Sequence, residues 1–153
     1  MNLIMRLIAK LGSEELSHRC SKSLLIDPNR QSQAPYIIFE RYRNHRDEKI
    51  IEAQNWLEEN YSDGIVIDEL ARTMGISPRH FQRRFKEATG VTPLTYLQKI
   101  RIEIAKEKLE KTRQSFSEIT WDVGYEDVNS FRKLFIKHTR ISPNAYRTRF
   151  ERI

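Results

Sequence analysis

Arg79, Gln82, Arg83 and Lys86 lie three or four positions apart, the spacing that gathers side chains on one face of a helix. Guanidinium and carboxamide groups pair bidentately with base edges in a major groove, and ammonium groups answer phosphates. Phe81 and Phe85, four apart, fall on a different face. The stretch therefore reads as a short helix that hides aromatics on one side and offers flat or charged donors on the other. Any amphipathic surface helix does as much, and taken alone this one is a solvated face. Its start is well specified: Gly75 suits a left-handed turn, Ser77 can cap the next helix, and Pro78 supplies the preset φ of a first helical residue.

The chain makes this element twice. At a spacing of 50, Phe81 meets Phe131, Phe85 meets Phe135, Thr89 meets Thr139, Thr92-Pro93 meets Ser142-Pro143 and Tyr96 meets Tyr146. Ahead of the turn the spacing is 49, so that Leu70 meets Ile119 and Gly75 meets Gly124. A one-residue slip confined to a turn is what duplicated helix-turn-helix units tolerate. The two copies predict helices at about 78–88 and 128–138.

The elements around them follow in order. Leu3, Ile4, Leu7, Ile8 and Leu11 keep helical spacing up to Gly12, and Ser13 opens a second short helix to about Leu24. Pro28 and Pro35 mark an extended connector, Tyr36 to Phe39 reads as a short strand or docking segment, and Glu40 to Arg46 as a charged lead-in. From Asp47 helical patterns resume, with Ile50, Ala53, Leu57 and Tyr61 on one stripe, then Leu70, Ala71 and Met74. A long helix runs from Thr92-Pro93 to about Lys111, and Ser115 with Glu118 forms a capping box before the second copy. The expected fold is all-α, two helix-turn-helix units joined by a long central helix, preceded by a short helical segment. Its divisions are residues 1–24 (helical segment), 25–46 (linker) and 47–153 (double helix-turn-helix).

Net charge is +6, which invites a polyanionic partner. Residues 1–46 hold 8 of the 27 Lys and Arg and 4 of the 21 Asp and Glu, leaving 19 against 17 in residues 47–153. The repeat region is thus nearly neutral, and the argument rests on two local clusters. Arg79, Arg83, Arg84 and Lys86 face Glu87 alone, and Arg132, Lys133, Lys137 and Arg140 face no acid. His18, His45, His80 and His138 are scattered without metal-ligand spacing, and Cys20 has no evident base partner. No catalytic group, metal or cofactor is expected. The single cysteine suits a reducing cytoplasm, and residues 1–11 are too short to span a bilayer. Trp56 and Trp121 are assigned to packing.

Residues 47–152 resemble the AraC/XylS-type DNA-binding domain. The resemblance runs through Asp68-Glu69-Leu70-Ala71, Gly75-Ile76-Ser77-Pro78, Thr89-Gly90-Val91-Thr92-Pro93, Gly124-Tyr125 and Ser142-Pro143 with Tyr146-Arg147. It implies a sequence-specific transcriptional regulator whose two recognition helices enter successive major grooves of double-stranded DNA and which works with RNA polymerase or other transcription machinery. On that basis Arg79, Gln82 and Arg83 are expected to read bases, with Ser77, His80 and Lys86 toward phosphates. Asn129, Arg132 and Lys133 are the matching readers, with Ser130 and Lys137 on the backbone. Three positions depart from the family pattern: Thr120 stands for a small Ala, Arg140 for Gly, and Val66 for a capping Ser or Thr. Looser packing of the second unit, or a phosphate contact from Arg140, is the expected consequence.

Residues 11–36 resemble the last helix and linker of regulators carrying a glutamine-amidotransferase-like sensor. That leaves two readings, the C-terminal part of a longer regulator whose effector binds upstream, or a short protein with its own helical cap. A nonspecific DNA-binding or protein-interaction module is the functional alternative.

Overall fold

The computed structural model describes residues 39–151. The helices expected within residues 1–24, most of the linker and the sensor-like stretch lie outside them. By its contacts the chain divides into residues 1–37 and 38–153. The described residues belong to the second part, and they are helical, with no strand among them.

Helix α1 (Glu48–Glu59) starts where Asp47 accepts from the Ile50 N–H. Helix α2 (Ile67–Thr73) begins at Val66, which supplies no side-chain cap, in keeping with the departure noted there. Helix α3 (Pro78–Thr89) follows across Gly75, whose φ of +71° is a turn that an L side chain enters only with strain. Helix α4 (Pro93–Lys111) is the longest, 19 residues. Helices α5 (Phe116–Asp122), α6 (Val128–Thr139) and α7 (Pro143–Phe150) repeat the plan, with the expected Ser115–Glu118 capping box in place.

There are two cores, and α4 serves both. Phe81, Phe85, Ile50, Ala53 and Leu57 surround Tyr96, Leu97 and Ile100 in the first. Phe131, Phe135, Phe116 and Ile119 surround Ile102, Ala105 and Leu109 in the second. Each buried phenylalanine contributes about 1.5–3 kcal/mol of apolar transfer. The duplication extends to hydrogen bonds that periodicity does not reveal. The Tyr96 hydroxyl donates to Glu58 at 2.5 Å and the Tyr146 hydroxyl to Glu110 at 2.6 Å. Burial, reinforced by Glu58, pushes the Tyr96 phenol well above its usual range. Thr89 and Thr139 each set a hydroxyl 2.8 Å from the carbonyl four residues back.

Residues 39–46, which fall in the segment expected to be a linker, pack on the first core. Phe39 and Tyr42 meet Tyr96 edge-on at 5.8 and 5.7 Å, and residues 39–42 form a helical turn; of the segment expected as a short strand or docking segment, all but Phe39 lies outside the described residues. Gln54 is fully buried. Its amide donates to the Tyr42 carbonyl at 3.0 Å, and its oxygen lies 2.9 Å from His45 Nε2. Thr120, expected to loosen the second unit, is also fully buried, and its hydroxyl donates to the Phe116 carbonyl at 2.7 Å. The extra polar atom is therefore satisfied inside the helix, and the core closes around it.

A clasp joins the two units. Arg101 of α4, only 8% exposed, donates to the carbonyls of Tyr61 at 2.8 Å and Asp63 at 2.9 Å, both in the α1–α2 loop. Its guanidinium lies 5.1 Å from the Tyr125 ring of the second unit. Burial holds its pKa below the usual arginine value. Gly124, at φ +87°, brings the second turn against the same loop: a Cβ there would sit 2.6 Å from the Ser62 carbonyl oxygen.

Candidate nucleic-acid interface

Two helices position the predicted side chains, and each is fixed at both ends. In α3 the Ser77 hydroxyl accepts from the His80 N–H at 3.4 Å, Pro78 opens the helix, and Gly90 closes it at φ +84°. In α6 Asp127 accepts from the Ser130 N–H at 2.5 Å, and Arg140 closes the helix at φ +66°. Hydrogen bonds from Ser130 lower the Asp127 pKa, with a smaller contribution from Lys133.

Residues 81–90 and 131–140 follow the same sequence of buried, half-buried and exposed positions, residue for residue. The phenylalanines are fully buried in both helices. Ser77, Arg79, His80, Gln82, Arg83, Lys86, Asn129, Ser130, Arg132, Lys133, Lys137 and Arg140 are all exposed. At about 100° per residue, Arg79, Gln82, Arg83 and Lys86 span roughly 100° of arc on the side away from Phe81 and Phe85. Asn129, Arg132 and Lys133 take the corresponding arc of α6.

These donors are held lightly. Arg83 reaches Glu87 only at 3.9 Å, with both side chains about 70% exposed, so this pair adds little. Arg132 donates to Asn129 at 3.2 Å and sets its guanidinium 5.7 Å from the Phe116 ring, which orients two donors without burying them. Arg84 is different. It forms a two-pronged pair with Asp47, at 2.5 and 2.9 Å, and the Arg84 hydrogen bond holds the Asp47 carboxyl below its usual range. One of the four cations counted in the first basic cluster is thereby committed to joining α3 to the start of α1.

The sequence reading missed Ile136. It is 40% exposed and lies on the arc of Asn129, Arg132 and Lys133, at the position where the first copy has Lys86. The 50-residue spacing itself carried the signal. Trp56 and Trp121 are corrections in the other direction: assigned to packing, they are 39% and 60% exposed. Trp56 stands well round the helix from Ile50, Ala53 and Leu57, and Trp121 occupies the repeat position of the exposed Arg72. Neither therefore shares the inward arc.

No cluster among the described residues has the composition of a metal site. His45 is bonded to Gln54, His80 is exposed, and His138 is half-buried. His18 and Cys20 lie outside the described residues. No helix among those described is long and apolar enough to cross a membrane.

Comparison with known proteins gives the same domain. A family model described as a helix-turn-helix domain matches residues 70–149, more than half of the chain. The HTH-type transcriptional regulator YdiP of Escherichia coli K12 is 34% identical over 96 residues, covering 63% of this chain and 32% of that protein. The lactose operon transcription activator of Staphylococcus xylosus is 35% identical over 104 residues, 68% of this chain and 37% of its own length. This chain thus spans about a third of the length of the curated relatives it matches. Among solved structures, the C-terminal domain of AraT, a response regulator from Geobacillus stearothermophilus, superposes with a TM-score of 0.68 at 28% identity, covering 70% of this chain and 89% of that one. The DNA-binding domain of AdpA, a global transcriptional factor solved in complex with a target DNA, gives 0.65 at 29% identity over 68% of this chain and 94% of that one.

Proposed function

We propose a function on one premise: the chain belongs to the AraC-type helix-turn-helix family, a family of DNA-binding transcriptional regulators and not of enzymes. The protein is a regulator that binds double-stranded DNA in the cytoplasm in a sequence-specific manner, inserting α3 and α6 into successive major grooves and working with RNA polymerase or other transcription machinery. What supports this reading is the doubled helix face, twelve exposed polar and cationic side chains on two helices with matching caps and matching exposure.

Arg79, Gln82 and Arg83 read bases in one groove and Asn129, Arg132 and Lys133 in the next. Arginine pairs with guanine and Gln or Asn with adenine, each good bidentate pair giving about 1–3 kcal/mol of discrimination. Ile136 sits among the second set and suits a thymine methyl, which has no counterpart opposite Lys86 in the first. Ser77, His80, Lys86, Ser130, Lys137 and Arg140 take phosphates and set register. The 19-residue α4 is about 28 Å long at 1.5 Å per residue, less than the roughly 34 Å of one duplex turn. Both helices engage fully only if the duplex bends toward the protein.

Selection from a random duplex pool, followed by binding across a salt series, tests the proposal. A defined motif preferred about 10³-fold over random DNA is expected, with log K falling against log salt at a slope of about −5 for six neutralised phosphates. Recovery of a basic but sequence-indifferent binder would move the assignment to the nonspecific module. A flat salt response would reject both.

A further inference from the structure

A groove of about 520 Å³ opens on the second unit between α4, the last turn of α6, and α7. None of the twelve predicted contacts lines it. His138 contributes to its wall and points about 180° away from Asn129 and 140° away from Lys133 around α6, at 100° per residue. The His138 wall of the groove is therefore turned away from the reading face.

Its lining combines two chemistries. Ile102, Ile141 and Phe150 give it an apolar floor, and Lys99, His138 and Arg149 give it cationic and imidazole donors. The other lysine of the groove, Lys106, is neutralised by Glu103 at 2.9 Å. Neither Lys99 nor Arg149 has an ion-pair partner among the described residues. Burial first, and then Lys99 and Lys137, hold the His138 imidazole below its usual pKa, so it stands in the wall as an uncharged donor beside two cations. The volume falls in the range of small-molecule sites, and the lining holds more polar and charged residues than apolar ones. An apolar floor alone takes any hydrophobe and a cationic rim alone takes any anion. The two together select a molecule carrying both.

We infer that this groove binds a small amphipathic carboxylate, its acid group on Lys99, His138 and Arg149 and its apolar body against Ile102, Ile141 and Phe150. The assignment is independent of the DNA reading, since it uses none of the same side chains.

Sodium octanoate titrated into the isotopically labelled full chain tests it, with acetate and 1-octanol as partial mimics at constant ionic strength. Saturable amide shifts are expected around Lys99, His138 and Arg149, with acetate and octanol at least ten-fold weaker. Lys99→Glu and Arg149→Ala should each weaken octanoate about ten-fold or more. Arg149 is exposed, so the second variant keeps the test valid if the first fails to fold. An equal response to acetate would mean an adventitious ion only, and an equal response to octanol an unselective apolar surface. Saturation only where octanoate forms micelles, undiminished binding by folded Lys99→Glu and Arg149→Ala proteins, or tighter binding of an acidic amphipathic peptide would each overturn the inference.

Discussion

Gly75 and Gly124 occupy the same turn in the two repeats, and the structure gives them different costs of substitution. Both have positive φ, +71° and +87°. An alanine at either position meets the left-handed penalty of about 1–2 kcal/mol, partly offset by about 0.4–1 kcal/mol from its stiffer unfolded chain. At Gly75 nothing lies within 4 Å of the added carbon, so Gly75→Ala should destabilise by about 1 kcal/mol. At Gly124 the carbon would lie 2.6 and 2.9 Å from the Ser62 carbonyl group and 3.0 Å from the Arg101 guanidinium. The first two are backbone atoms of a loop that Arg101 already pins by two hydrogen bonds, so they cannot swing aside. Overpacking of that kind costs about 1–3 kcal/mol, which brings Gly124→Ala to about 2–4 kcal/mol. At about 4 °C per kcal/mol for a domain of this size, the expected fall in Tm is about 4 °C for Gly75→Ala and about 8–16 °C for Gly124→Ala. Urea and thermal unfolding of both variants followed by far-UV circular dichroism give the comparison. Equal losses would refute the claim that the second turn is sterically locked to the first unit.

Arg140 is the one non-glycine residue at positive φ among those described, so Arg140→Gly should raise Tm by about 2–4 °C, a net gain of about 0.5–1 kcal/mol once the looser unfolded chain of glycine is set against the strain relieved. The same variant should lose DNA affinity and reduce the salt slope by about 1; a stabilised variant with unchanged affinity would remove Arg140 from the phosphate contacts. Asp47 has a lowered pKa, chiefly through its hydrogen bond with Arg84, so its contribution is complete above the ordinary carboxylate range near 4 and fades as pH falls through its lower folded value. Asp47→Asn keeps a capping side chain but loses the charge, and should cost about 0.5–1 kcal/mol at pH 7 and progressively less as pH falls below the ordinary carboxylate range; a gap in Tm that widens on acidification would contradict this. Gln82→Ala and Arg132→Ala should each relax preference at one or two base pairs in different halves of the selected site, by about 1–3 kcal/mol. Loss spread evenly over all sequences would recast them as phosphate contacts.

The helices and their ends were legible because short-range rules set them. Ser77-Pro78, Thr92-Pro93 and Ser142-Pro143 each mark a cap and a first turn, and the repeat of phenylalanines at four-residue spacing identified the buried face. Polar burial was only partly legible. Thr120 was marked as standing for a small packed Ala, but Gln54 and Arg101 have nothing in their neighbourhoods to announce them, since their partners are Tyr42 and the α1–α2 loop carbonyls, which only folding brings near. The same limit explains Arg84, which counted as a free cation until Asp47, 37 residues away, came beside it. Of the proposed contact face, the exposure of the twelve polar side chains was legible from type, spacing and the family resemblance, whereas Ile136 was passed over because attention to charge excludes an aliphatic group.

Helix α4 gives its first two turns to one core and its last three to the other. Cutting the chain anywhere along it would leave two halves, each missing a wall. The duplicated units, though they look separable on paper, should melt in a single calorimetric transition whose enthalpy matches that of the pair.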